Sequence, residues 1–342
     1  MFVQNNNKKI VAVHDLSCIG RVSLNAVIPI LTTMGFEVTP LPTALLSCHT
    51  QYPEFTFLDL TAEMRKIIAN WKSQGFKFNA FYTGYLGSPE QVQVVSELIQ
   101  DFRRPSDLIV VDPVLGDNGK LYKGMTEEMV GEMRNLIKLA DVITPNITEM
   151  FLLLGESLED NILLNGQWSM VTGQRSLSGA VSAKDAGIDL AESRQNRTQS
   201  TVNEKTTFND QTTLDAALKG YLRRLSDAGP SIVIVTSVPV IDNPHLTSVY
   251  AYNRNGNRYW KVTCPFLPAH YPGTGDSFTS VITGSLLQGD SLPLALDRAM
   301  QFTLQGIRST FGYDYSNLDG IMLEKVLSNL HTPIQVSSFE LI

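Results

Sequence analysis

Along most of the chain, brief apolar runs rich in Val, Ile and Phe alternate with longer stretches of helical period. "KIVAVHD", "FNAFYTG", "DLIVVDP", "DVITPN" and "SIVIVTS" each close in polar or turn-forming residues and read as buried strands. Between them, Met64, Ile67, Ile68 and Trp71 fall at the i, i+3, i+4, i+7 spacing of one helix face, and Gly75 supplies a stop. "EQVQVVSELIQDF" and "EEMVGEMRNLIKLA" repeat that pattern. Such alternation predicts an α/β fold, a three-layer αβα sandwich around a mostly parallel sheet. The chain has 342 residues, enough to bury a large core, and one domain over 1–342 is expected.

Two segments interrupt the rhythm. Residues 166–213 are dominated by Ser, Thr, Gln and Asn with little apolar periodicity, which reads as a mobile polar insertion. Residues 37–60 carry Pro40, Pro42 and Pro53 and read as edge strands or a flap beside a cleft.

The polar residues gather where the strands end. "HDLSCIG", "TGYLGS", "DPVLGD", "TPNITE" and "TSV" follow successive strands. In an open parallel sheet the carboxyl ends of the strands share one edge, and ligands bind there. The clusters are therefore expected to converge on one cleft. Any one of them alone is also what a strand-to-helix loop needs to cap its helix.

A net charge of -7 argues against a broad nucleic-acid footprint, so an anionic ligand needs a local positive site. Cys18, Cys48 and Cys264 form no CxxC pair, which suggests a reducing compartment and no structural zinc. No apolar run is long enough to span a bilayer and the first residues do not resemble a signal peptide, so no membrane partner and a cytoplasmic address are expected.

The sharpest local motif is "YPGTGDSFTS". Gly273 and Gly275 allow backbone conformations that let consecutive N–H groups form an anion-binding nest with Thr274 between them. The next run is periodic enough to be a helix starting near Asp276 or Ser277, whose positive end adds to the nest. A carboxylate beside a bound anion suits orientation or deprotonation of a hydroxyl that attacks a phosphoryl group. The helix dipole should keep Asp276 ionised and weakly basic, which phosphoryl transfer tolerates. The same residues also fit a simple helix cap after a tight turn. GxGxxG and GxxxxGK[ST] are both missing, which disfavours a dinucleotide fold and excludes a P-loop. Asn146 and Glu149, one helical turn apart, and Asp112 and Asp117 offer oxygen ligands of the kind magnesium takes directly or through water. As a set, these groups point to a nucleotide-dependent kinase.

"GTGDSF", with "SCHTQY", "TGYLGS", "DPVLGDNGKLY" and "TPNITE" before it, resembles the pyridoxal kinase family of the ribokinase-like superfamily, over about 10–330 apart from the polar tract. The resemblance implies an ATP-dependent kinase acting on the 5'-hydroxymethyl group of pyridoxal, pyridoxine or pyridoxamine. It implies Asp276 as catalytic base and Gly273, Thr274 and Gly275 as anion hole. Asn146 and Glu149 would place Mg2+, while Asp112, Asp117, Thr144, Thr236 and Ser237 would surround the ATP phosphates. Thr50 and Tyr85 would hold the pyridine ring, with 118–124 as a short lid over the phosphates. A homodimer is expected, and a requirement for a monovalent cation is left open.

The sequence departs from the family at Asp15, which stands where a ring-contacting serine is usual, with Ser17 two positions on. Both are assigned here to the substrate, Asp15 facing either a protonated ring nitrogen or an amine substituent. Tyr271 and Pro272 replace a cysteine that some relatives carry before GTGD, so no thiol adduct is expected there. The alternatives are a hydroxymethylpyrimidine kinase of the same superfamily, a sugar kinase of that fold, and a vitamin-binding protein without catalysis.

Overall fold

The computed structural model describes residues 7–158, 210–241, 243–332 and 338–342. Ten strands form one sheet in the order β12-β11-β10-β9-β8-β5-β4-β1-β2-β3. Its centre is parallel and comprises β1 (Lys9–Ser17), β2 (Glu37–Leu46), β4 (Ala80–Thr83), β5 (Leu108–Val111), β8 (Val142–Ile143) and β9 (Ile232–Pro239). Antiparallel strands finish both sides: β3 (Phe57–Asp59) beyond β2, and β10 (Leu246–Asn253), β11 (Arg258–Pro265) and β12 (Phe339–Leu341) beyond β9. A separate hairpin joins β6 (Gly116–Asp117) to β7 (Lys120–Leu121).

The alternation along each strand divides the core in two, because successive side chains point to opposite faces. Val11, Val13 and Phe81 face helices α2 (Thr61–Gln74), α3 (Pro89–Phe102), α4 (Glu127–Leu136), α5 (Ile147–Leu154) and α6 (Gln211–Asp227). Ile10, Ala12 and Tyr82 face α1 (Leu24–Thr33), α7 (Thr274–Gln288) and α8 (Leu292–Thr310). This is the expected three-layer sandwich. Each of the five sequence-predicted strands overlaps an observed one, and α2 buries Met64 and Ile68 before Gly75 ends it at φ 68°.

Residues 37–60 supply two extended segments as expected, β2 and the edge strand β3, but 47–54 between them are turns and bends. Pro40 and Pro42 lie in the half of β2 that has only β1 as a neighbour, since β3 pairs with Ala44–Leu46 alone. A residue without an N–H is tolerated at such an edge. The expected polar insertion lies outside the described residues up to 209, and its last four positions correct its boundary. Asp210 caps α6 by accepting from the Thr213 N–H at 2.8 Å, and Leu214, Leu218, Leu222 and Leu225 bury one face of that helix. "DQTT", 210–213, is polar because it is a helix start. Among the described residues, no helix is long and apolar enough to cross a membrane.

Candidate active site

Two bulges aim side chains at the carboxyl edge of the sheet. In β1, His14 pairs with Pro42 and Leu16 with Leu45, so one residue, Asp15, stands opposite two. In β9, Val235 and Val238 pair with Tyr250 and Ser248, which puts Thr236 and Ser237 opposite Val249 alone. Ser237 takes φ 60° there. Bulges of this kind bend a strand and redirect its side chains.

Two adjoining cavities occupy this edge. The smaller, about 230 Å³, is lined among others by Asp15, Thr50, Tyr85, Asp112, Glu149 and Asp276. The larger, about 280 Å³, has an apolar end built from Phe266, Leu267, Met300, Leu304 and Ile307. Asp117, Thr144, Asn146, Thr236, Ser237, Thr274 and Gly275 line both, and Gly273 lines the smaller. Fourteen of the fifteen sequence-predicted site residues therefore meet at one place. Ser17 does not: it is fully buried, and its hydroxyl donates to Asp15 Oδ2 at 2.9 Å instead of reaching the cavity.

The shared wall is the start of α7. Gly273 occupies the N-cap position at φ 81°, and a Cβ there would lie 2.2 Å from the Arg21 carbonyl oxygen. Only glycine satisfies both demands. The helix opens at Thr274, two to three residues earlier than the sequence suggests, because the Ser277 N–H and hydroxyl both bond back to the Gly273 carbonyl. Gly275 is helical and exposed, so it contributes an uncovered backbone and no unusual dihedral. The first-turn N–H groups of a helix lack intrahelical acceptors, which suits an anion at this point.

Asp276 is the third residue of α7 and does not cap it. Its Oδ2 accepts from the Ser23 N–H at 2.8 Å, and its Oδ1 lies 3.7 Å from His14 Nδ1. Burial pushes the carboxyl up to about 6, with the Ser23 bond pulling down and the Asp15 charge pushing up. The expectation of a weakly basic aspartate is thus corrected: desolvation outweighs the helix terminus. His14 is fully buried, edge-on to Tyr82 at 4.5 Å, and burial lowers it to about 3, so it is neutral.

The remaining acids crowd the same wall. Asp112 is pushed up to about 8 by burial and by the Asp276 charge, against hydrogen bonds from Thr279 and Thr144. Burial, then the Asp112 charge, raises Glu149 well above the carboxylate range. Burial also raises Asp117 and Asp15. Glu149 and Asn146 form a capping box on α5: the Asn146 side chain accepts from the Glu149 N–H at 3.0 Å, and Glu149 Oε2 accepts from the Asn146 N–H at 2.9 Å. Glu149 Oε1 accepts from the Leu115 N–H at 3.1 Å. No lysine or arginine is among the residues lining either cavity. Hard oxygen donors that repel one another fit a divalent cation held partly through water. Among the described residues no group of three His, Cys, Asp or Glu side chains is arranged to hold a metal alone.

The expected lid is the β6–β7 hairpin, turned by Asn118 and Gly119, both at φ 65°. That is the dihedral sign an Asn-Gly hairpin turn takes. The Gly119 N–H donates to the Thr148 hydroxyl at 3.0 Å, which ties the hairpin to α5. His49 places Nε2 2.5 Å from the Leu318 carbonyl oxygen and also lines the smaller cavity. Sequence reading missed Ser23, His14 and the whole apolar end of the larger cavity. A serine before a helix and apolar residues in a loop or helix carry no local mark of a site.

A family model of phosphomethylpyrimidine kinases matches residues 24–173 and 201–319. A protein from Bacteroides thetaiotaomicron VPI-5482, provisionally named a phosphomethylpyrimidine kinase, is similar over the full length. Its rhombohedral crystal form is 59% identical with a TM-score of 0.81, covering 100% of both chains. Its orthorhombic form, crystallised with pyridoxal, is 60% identical at the same TM-score, covering 98% of this chain and 100% of that one. The pyridoxal kinase of Lactobacillus plantarum is 27% identical with a TM-score of 0.73, covering 94% of this chain and 96% of that one. A protein of Schizosaccharomyces pombe provisionally named a pyridoxal kinase is 32% identical over 157 residues, 44% of this chain, and that match spans 50% of the relative's length.

Proposed function

The chain belongs to the phosphomethylpyrimidine kinase family, and from that premise we propose that it is an ATP-dependent kinase for the 5'-hydroxymethyl group of a vitamin B6 vitamer. The observation that carries this reading is Asp276, which lines the smaller cavity in the first turn of a helix whose N-terminal residues, Thr274 and Gly275, line both cavities. A base belongs with the attacking hydroxyl and an anion hole with the transferring group, and here they share one helical turn.

In this mechanism Thr50 and Tyr85 hold the pyridine ring in the smaller cavity, with the hydroxymethyl group toward Asp276. The nucleotide base occupies the apolar end of the larger cavity. Thr236, Ser237, Thr144 and Asp117 surround the phosphates. The hydroxyl oxygen bonds to the γ-phosphorus, its proton passes to Asp276, and the bond from that phosphorus to the bridging oxygen breaks, releasing ADP. An Asp276 pKa near 6 leaves it ionised at neutral pH yet a stronger base than a solvated aspartate. Asn146 and Glu149, with Asp112 and Asp117 nearby, would hold magnesium. The metal would supply the positive charge that the cavity side chains lack.

The pyridoxal held by the Bacteroides relative supports a pyridine substrate. The name of the family model supports a second reading, hydroxymethylpyrimidine as acceptor. The test is ADP release with magnesium-ATP and each of pyridoxal, pyridoxine, pyridoxamine and hydroxymethylpyrimidine. A vitamer preferred by tenfold or more in kcat/KM is expected, and preference for the pyrimidine would replace the leading reading. A homodimer is part of the proposal, supported by Leu45 and Leu58, which lie opposite each other on β2 and β3 and are both exposed. The three free cysteines fit the cytoplasm.

A further inference from the structure

Ser23 has features that its place in the fold does not require. It is the N-cap of α1, where a serine side chain ordinarily accepts a first-turn N–H, yet it makes no such bond. Its backbone sits at φ 50°, ψ -131°, a region that residues with a Cβ avoid and that tends to occur at working sites. It is 7% exposed. Its hydroxyl donates to Asp15 Oδ1, and Ser17 occupies the other oxygen of that carboxylate. Its N–H donates to Asp276 Oδ2 at 2.8 Å.

We propose that Ser23 is a positioning residue for the Asp276 base, held in its strained conformation by Asp15. This rests on the kinase reading above and deepens it. The hydroxyl bond to Asp15 fixes the peptide plane, and the plane points the N–H at one carboxylate oxygen. With Oδ2 tied, the carboxylate stops rotating, and Oδ1 is left as the acceptor for the substrate proton. The same bond favours the ionised form against the burial that disfavours it. The groups facing Asp276 are His14 and Asp15 from β1, Tyr82 from β4, Asp112 after β5 and Tyr122 after β7. Ser23 supplies the only hydrogen bond to its carboxylate among the described residues. Asp15, assigned from sequence to the substrate, then acts on the reaction through Ser23, and Ser17 acts through Asp15.

Glycine adopts φ 50° without strain and keeps the N–H, whereas alanine keeps the strain and loses the hydroxyl that holds it. Ser23→Ala, Ser23→Gly and Asp15→Asn are compared with the parent for kcat, both KM values and melting temperature. The Asp276 carboxyl is titrated in each by 13C NMR, a readout independent of turnover. Ser23→Ala is expected to lower kcat by about 10- to 100-fold with the KM for ATP within about twofold, and to raise the Asp276 pKa. Ser23→Gly should restore kcat to within about fivefold and return the titration to the parent position. Asp15→Asn should move kcat in the direction of Ser23→Ala. A glycine variant as impaired as the alanine one would overturn the proposal, and so would a parental kcat and titration in Ser23→Ala. A parent protein that turns over no vitamer would instead overturn the kinase reading, with the ordering of the titrations still deciding the role of Ser23.

Discussion

Helices α5 and α7 both start at the carboxyl edge of the sheet, and both carry an acid at their third residue, Glu149 in "NITE" and Asp276 in "GTGD". In α5 the N-cap is Asn146 in extended geometry, and Glu149 reaches back to its N–H to complete a capping box. In α7 the N-cap is Gly273 in the left-handed region, with no side chain to bond and no cap made. Asp276 is thereby released from capping and is claimed by Ser23, the N-cap of α1. One spacing yields a brace in the first helix and a carboxylate with one oxygen turned away from its own helix end in the second, and the residue at the N-cap decides which.

The strongest way to break this contrast is Asp276→Asn. It should lower kcat by about a thousandfold or more while the KM for ATP changes little, as steady-state kinetics will show. Its melting temperature should not fall, because the substitution removes a charge that burial already disfavours. A stability loss with retained turnover would make Asp276 a brace like Glu149.

Gly273→Ala comes next. The added methyl meets the Arg21 carbonyl oxygen and the backbone must hold a left-handed φ, so a loss of about 1 to 3 kcal/mol in denaturant unfolding is expected, with weakened ATP binding. The α5 counterpart is Asn146→Ala, which removes a side-chain cap and should cost about 1 kcal/mol. It should also raise the magnesium concentration needed for half-maximal rate. An unchanged magnesium dependence would leave α5 a purely structural brace.

The smallest effects concern pH. In the proposed mechanism turnover needs Asp276 ionised, so kcat/KM should fall as pH drops through about 6, and Asp276→Asn should lose that limb. Stability runs the other way. Asp112 at about 8 and Asp276 at about 6 hold protons in the fold at pH values where the unfolded chain has released them. Their contribution is complete below the ordinary carboxylate range and is lost as pH rises through these values. The ligand-free protein should therefore melt at a higher temperature at pH 5.5 than at pH 8.5, from these two groups alone, and Asp112→Asn should flatten the difference.

Much of this contrast was legible in the linear chain. The acids of α5 and α7, the glycines before Asp276 and the five polar strand ends could be named because each is a local pattern. What misled was equally specific. The sequence starts α7 near Asp276 or Ser277, later than the fold does, since the bonds from Ser277 to the Gly273 carbonyl are a matter of folded geometry. The sequence around Asp276 implies a weak base, because its burial by β1 and β4 is invisible from its neighbours in the chain. Ser17 reads as a substrate contact from the sequence, whereas it sits behind Asp15. "DQTT" reads as part of the polar tract, whereas Asp210 caps α6.

By itself the sequence determined the layered fold and the identity of the polar residues at the sheet edge, because strand and helix periods and turn residues act over a few positions. The tertiary structure alone decided the tie from Ser23 to Asp276, the raised acids of the shared wall, and the apolar cavity end built from 264–307. These depend on which distant side chains exclude water from one another, and that is settled only when the layers pack.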